Sequence, residues 1–204
     1  MKKWPELIKG VLARQVRLFG FDVRTQTDVQ AEVDHIIGGL KMIDALHAKT
    51  HEGVAYELTV LASNVAAGQA LNVLLQCDWK HSVHLRPAFA SEGPCRGFIF
   101  EGPEYSAAGS PLTPMNRNRK VWAPAAKAVL TSGPTLTGDG TQLTVAPIFS
   151  ASGPGHTSTG GTHGTFEEWL LNNNEDYLFR IVNDDAGAKD LWLSLTFYEE
   201  RVDV

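Results

Sequence analysis

The chain changes its hydrophobic period once, across residues 44–60, and that change limits what it can fold into. Before Gly53 the apolar residues recur every three or four positions, as on a helix. After it Val54, Tyr56, Leu58 and Val60 alternate with Ala55, Glu57 and Thr59, as on a half-buried strand. Gly53 is a natural helix stop, because glycine enters left-handed geometry without a Cβ penalty. The reading is a helical arm over residues 1–50 and a β-sandwich domain over residues 51–204.

Upstream, Pro5 suits the first turn of a helix, where a missing N–H costs nothing. Trp4, Leu7, Ile8, Val11, Leu12, Val16, Leu18 and Phe19 then form a broad apolar face, ended by Gly20 and the Thr25-Gln26-Thr27 group. Thr27 or Asp28 suits the cap of a second helix. There Val29, Val33, Ile36, Leu40, Ile43 and His47 alternate at spacings of four and three, the seam of a short coiled coil. That seam predicts a homo-oligomer, with a trimer among the expected states; packing on its own domain is the rival reading, and Gly38-Gly39 weakens the helix.

Charge is uneven too, with its division after residue 24. Lys2, Lys3, Lys9, Arg14, Arg17 and Arg24 stand against Glu6 and Asp22, a net of +4, which leaves −9 for the rest of a chain whose total is −5. A basic arm on an acidic body suits docking on an acidic surface, with a solvated amphipathic helix as the alternative. The total argues against a dedicated nucleic-acid binder. No apolar run approaches the roughly 18 residues of a membrane span, and the first residues lack a secretion signal, so cytoplasmic synthesis is expected. Cys77 and Cys95 are too few for a disulfide scaffold and are expected as thiols.

Downstream of Gly53 the strand candidates are residues 54–62, 69–77, 82–89, 97–101, 120–130, 142–149, 167–170, 177–182 and 190–199. Glycine-, proline- and asparagine-rich turns separate them, and no helical crossover intervenes. The class is mainly β, an antiparallel sandwich of jelly-roll type. The last strand has Leu191, Leu193, Leu195 and Phe197 on one face and Trp192, Ser194, Thr196 and Tyr198 on the other, as in a central strand or one meeting a partner. Residues 150–165 read as a long exposed loop.

No catalytic or cofactor motif emerges. His47 and His51 share a helix face, but Ala48 stands where a metalloprotease motif needs Glu, so capping and packing roles are favoured over metal. His81 and His84, three apart, face opposite sides of one strand, against a cupin-type metal pair. The acidic pairs Glu167-Glu168, Asp184-Asp185 and Glu199-Glu200 read as solvated edges. In the run from Leu112 to Arg119, Pro114, Asn116 and Asn118 favour a structural turn, and Arg117 and Arg119 suit bidentate pairing with acids of the fold or of a partner.

In order along the chain, His47-Ala-Lys-Thr-His51-Glu-Gly53 with Tyr56, then Leu112-Thr-Pro-Met-Asn-Arg-Asn-Arg119, then Tyr177-Leu-Phe-Arg-Ile-Val-Asn183 and Leu191-Trp-Leu-Ser-Leu-Thr-Phe-Tyr-Glu199 resemble a group of tailed-bacteriophage virion structural proteins. The match runs over residues 29–199. It departs in the basic segment 1–24 and at Lys120 to Trp122, where a Ser/Thr-rich run is expected. The resemblance implies a non-enzymatic virion component without cofactor or metal: a head decoration or cement protein whose partners are the major capsid protein or other virion proteins. Trp4, Leu7, Ile8, Val11, Leu12, Arg14, Arg17 and Phe19 are the expected docking residues. The alternatives are a tail or baseplate module holding host glycans with Trp79, Trp122 or loop residues, and a small metal-dependent cupin-like enzyme.

Overall fold

The computed structural model describes residues 21–22, 27–28, 45–120, 122–148 and 168–202. The expected docking face (Trp4 to Phe19), the seam from Val29 to Ile43 and the 150–165 loop lie outside the described residues. The chain divides into two compact units, Met1–Asp44 and Ala45–Val204. In the first, β1 (Phe21–Asp22) pairs antiparallel with β2 (Thr27–Asp28). Thr27 and Asp28, expected as helix-cap candidates, thus form one side of a short ladder.

The second unit begins with α1 (Ala45–Glu52). The strands after it are β3 (Ala55–Val65), β4 (Ala70–Gln76), β5 (His81–Ser91), β6 (Cys95–Glu101), β7 (Glu104–Ala107), β8 (Ser110–Leu112), β9 (Met115–Asn116) and β10 (Val129–Ser132). Then come β11 (Thr135–Gly138), β12 (Thr141–Ile148), β13 (Trp169–Leu171), β14 (Asp176–Asn183) and β15 (Lys189–Arg201). One sheet has the order β12-β6-β14-β4-β10-β8 and a second β13-β5-β15-β3-β9; β11 and β7 form a separate ribbon. Every ladder is antiparallel.

Alternation sets the architecture. Leu191, Leu193, Leu195 and Phe197 are fully buried, and β15 lies centrally in the second sheet between β5 and β3. From the first sheet Val73, Leu75, Ile99, Tyr177, Phe179 and Ile181 join the same core, together with Tyr56, Val83, Leu85 and Phe89 of the second. The two antiparallel sheets therefore share one apolar interior, a sandwich-like arrangement. Gly97 permits close approach there: a Cβ on it would stand 2.6 Å from the Phe89 ring.

Two expectations change. Residues 120–130 were expected as one strand, yet only Val129–Ser132 pairs. The Lys120 N–H bonds the Asn118 side chain, Pro124 has no N–H to offer, and the N–H groups of Lys127 and Ala128 turn to the Glu199 carboxylate. Strands β7, β8, β9 and β11, two to four residues each, are too short for alternation to reveal. Among the described residues no helix is long and apolar enough to cross a membrane.

Candidate functional site

The period change at Gly53 becomes a built junction. Gly53 has φ +78°, its N–H donates to Thr50 O at 3.2 Å, and the Val54 N–H donates to Lys49 O at 3.1 Å. That pair of bonds is a Schellman ending, which satisfies the last helix carbonyls and delivers the chain into β3. The Asn116 side-chain amide donates to Gly53 O at 2.7 Å and to Pro124 O at 2.9 Å, while its oxygen accepts the Asn118 N–H. The Asn118 amide reaches His51 O at 3.1 Å, and the Arg117 N–H reaches Ala55 O at 2.9 Å. The Asn-Arg-Asn run thus ties the end of α1, the start of β3 and the loop near Pro124 to one another. The Trp122 ring covers Gly53, 3.2 Å from where a Cβ would sit.

Beside this junction lies an open groove of about 390 Å³, lined by Glu57, Thr59, Met115, Asn116, Arg117 and Arg119. Arg117 and Arg119 are exposed, and among the described residues neither forms an ion pair. Met115 is 53% exposed. Trp79 and Trp122 are also solvent-facing, at 58% and 61%, with the Lys80 and Lys120 ammonium groups 4.7 and 5.8 Å from the respective ring centres.

The outer face of the second sheet carries a closed charge cluster. Glu168 accepts from the Tyr198 hydroxyl at 2.7 Å and from Arg86 at 2.9 Å, and it lies 2.9 Å from His84 Nδ1. The His84 and Tyr198 rings stack with centres 4.4 Å apart. Glu200 links His84 Nε2 at 3.5 Å to Lys49 of α1 at 3.1 Å. Desolvation alone would raise the Glu168 carboxyl, but the hydrogen bonds from Tyr198, His84 and Arg86 outweigh it and hold the group below its ordinary range. Burial, followed by the bond to Glu168, pushes the Tyr198 phenol up. These groups satisfy one another; their arrangement is that of a cross-strand lock joining β13, β5 and β15.

Glu199 departs from the expected solvated edge. It is 5% exposed, takes the Lys127 N–H on its two oxygens at 2.9 and 3.0 Å, and takes the Ala128 N–H at 2.7 Å. It shares the inward alternation of Leu193, Leu195 and Phe197, so its burial was readable from the period. Glu168, His84 and Tyr198 had no local signal, because strands far apart in sequence bring them together. Asp184 pairs with Arg96 at 2.7 Å.

His47 and His51 meet on one face of α1, with Nε2 atoms 3.0 Å apart. Among the described residues no three His, Cys, Asp or Glu side chains gather as a metal site would need. His81 bonds Asp78 at 2.7 Å, away from His84 and its Glu168 partner. Of the expected site residues, Asn116, Arg117 and Arg119 come together at the groove; the expected docking and seam residues lie outside the described part. A scan against protein-family models finds no match for this chain, and a search of curated proteins finds none either.

Proposed function

We propose that the chain is a non-enzymatic structural protein of a tailed-bacteriophage virion, a decoration protein that attaches to the head shell through residues 1–24. The observation that carries this reading is the strand order. In sequence β3, β4, β5 and β6 alternate between the sheets, as do β12, β13, β14 and β15 in the reverse sense. The neighbours β12-β6-β14-β4 and β13-β5-β15-β3 support reading the sheets as two interlocked Greek keys of jelly-roll type, with β7 to β11 inserted between the fourth and fifth strands. Capsid domains use this fold, but so do lectins and cupins, so the fold narrows the choice and the side chains must decide.

The side chains favour attachment over turnover. The Glu168 and Glu200 cluster is spent on internal pairing, and the groove at Arg117 and Arg119 is open. The basic segment 1–24 opposes an acidic remainder. Many copies on one shell need only modest contacts each, since multivalency supplies retention. Self-association through Val29, Val33, Ile36, Leu40 and Ile43 would add to it.

Adding purified variants to particles that lack the protein, and counting copies retained after sedimentation, tests the reading. A chain without residues 1–24 should fold yet fail to bind. Replacing Leu7, Ile8 and Leu12 by Ser should remove binding more completely than replacing Lys9, Arg14 and Arg17 by Gln, because apolar burial holds and charge mainly steers. Full occupancy by the truncated chain would show that the segment is not the anchor.

The exposed Trp79 and Trp122 favour a second reading, a tail or baseplate module that stacks host sugars on those rings. Copy number per virion separates the two, since a shell lattice takes many more copies than a tail tip.

A further inference from the structure

Among the described residues the second sheet is left with a bare edge. Strand β9 pairs with β3 only at Tyr56 and Glu57. The next residue back along β9 is Pro114, which has no N–H to give, and the chain there leaves for β8 at the edge of the other sheet. Among the described residues nothing pairs with β3 on that side from Leu58 onward. Alternation fixes which groups are bare. Val54 O accepts the Glu199 N–H of β15, while Ala55 O accepts the Arg117 N–H on the β9 side. Thr59 and Leu61 therefore direct their backbone N–H and C=O outward, up to the register shift between Ala62 and Val65. The edge ends at Asn64, which has φ 55° and gives its N–H to the Asp190 side chain.

Natural sheets protect such edges with lysine, proline, inward charge or a bulge. The stretch from Leu58 to Ala62, before the register shift that follows it, has no charge and no proline, and Leu61 is 53% exposed beside Trp192. Val60 and Ala62 on the inner face are only half-buried, although they pack against the core. At the end nearest β9 the edge opens into the groove of Met115, Arg117 and Arg119, where Glu57 is the one acidic lining residue.

From this we infer that the β3 edge is a docking site for an extended peptide segment of a partner protein, added antiparallel to β3, with apolar residues over Val60 and Ala62 and an acidic C-terminal end at Arg117 and Arg119. Main-chain hydrogen bonds to Thr59 and Leu61 supply affinity, and the alternate side-chain positions supply selection. The two exposed guanidinium groups, without an acid partner among the described residues, choose an acidic end over a basic one. The site stands apart from attachment through residues 1–24: the edge takes such a strand whatever assembly presents it.

The test uses the full chain and fluorescence anisotropy with two labelled synthetic peptides. Each alternates valine and threonine; one ends in two aspartates, the other in two lysines. The acidic peptide should bind saturably, and the lysine peptide should bind roughly tenfold more weakly or worse. Leu61→Pro removes an outward N–H without removing a bond to β15, so it should fold, checked by circular dichroism, and lose both peptides. The double variant Arg117→Glu and Arg119→Glu, at exposed positions, should reverse the peptide preference. If Leu61→Pro does not fold, this reversal decides alone. Absence of saturable binding, equal binding of the two peptides, or binding unchanged by the charge reversal would overturn the inference. So would a concentration-dependent dimer in sedimentation that Leu61→Pro abolishes while neither peptide binds, since the occupant would then be a second copy of β3.

Discussion

At the scale of single residues, the buried polar groups make the sharpest predictions. Glu199 reads as a surface acid only when its neighbour Glu200 is considered; its place in the alternation of β15 puts it inside. Replacing it by Ala leaves the N–H groups of Lys127 and Ala128 without an acceptor, and chemical denaturation should show a loss of about 2–4 kcal/mol. Glu199→Gln keeps one carbonyl oxygen facing those donors and should lose less. The same carboxylate bears on Tyr56, whose phenol is pushed up to about 12, by burial first and by the Glu199 charge second. Tyr105, Tyr177 and Tyr198 are raised as well, so all four tyrosines of the chain ionise above the ordinary 10.0. A raised acid keeps its proton in the folded state after the unfolded chain has released it. Stability is therefore lost as pH climbs past 10, with no such loss below it. Ultraviolet titration of the native protein should show little tyrosinate at pH 10, and the absorbance should then rise together with unfolding measured by circular dichroism. Tyrosinate appearing at pH 10 with the fold intact would contradict the burial of these rings.

Secondary-structure elements show what a period can and cannot disclose. The end of α1, the start of β3 and the whole of β15 were legible, because Gly53 and the run from Leu191 to Tyr198 carry their instructions locally. Eight of the nine strand candidates lie on paired strands with shifted ends, while the candidate at 120–130 shrinks to Val129–Ser132. That stretch failed because side chains outside it, the neighbouring Asn118 and the distant Glu199, take backbone donors that alternation assigned to a ladder. The groove was half legible. Asn116, Arg117 and Arg119 announced a turn, but its neighbours Glu57 and Thr59 depend on the pairing of β9 with β3. The lock of β13 to β5 and β15 was hidden for the same reason, and it carries a pH signature. Glu168 has a lowered carboxyl, so its contribution is present above the unfolded value, near the ordinary 4.5, and is lost as pH falls through the folded value. Glu168→Gln should therefore lower stability at neutral pH and flatten the decline of melting temperature on the acid side of pH 4.5. An acid limb unchanged in the variant would mean that the bonds to His84, Arg86 and Tyr198 do not hold in solution.

At the scale of the whole molecule, the described core and the proposed attachment segment fall in different parts of the chain. Among the described residues the buried apolar side chains run from Ala55 to Tyr198, and the unit Ala45–Val204 contains both large sheets. A fragment beginning at Ala45 therefore keeps every described core residue, the Schellman end of α1 and the salt bridge from Lys49 to Glu200. Its thermal unfolding should be cooperative and should fall within a few degrees of the full chain. Its far-ultraviolet spectrum should be that of a β protein. Under the proposed function the same fragment should remain in the supernatant when particles are sedimented, because the basic segment 1–24 is missing. It should nevertheless bind the acid-ended peptide as the full chain does, since Thr59, Leu61, Arg117 and Arg119 are all retained. Unfolding of the fragment, or a melting point far below that of the full chain, would show that residues 1–44 supply part of the interior. A folded fragment that sediments with particles to full occupancy would instead place attachment on the β unit, and the β3 edge with its two arginines would become the first surface to mutate.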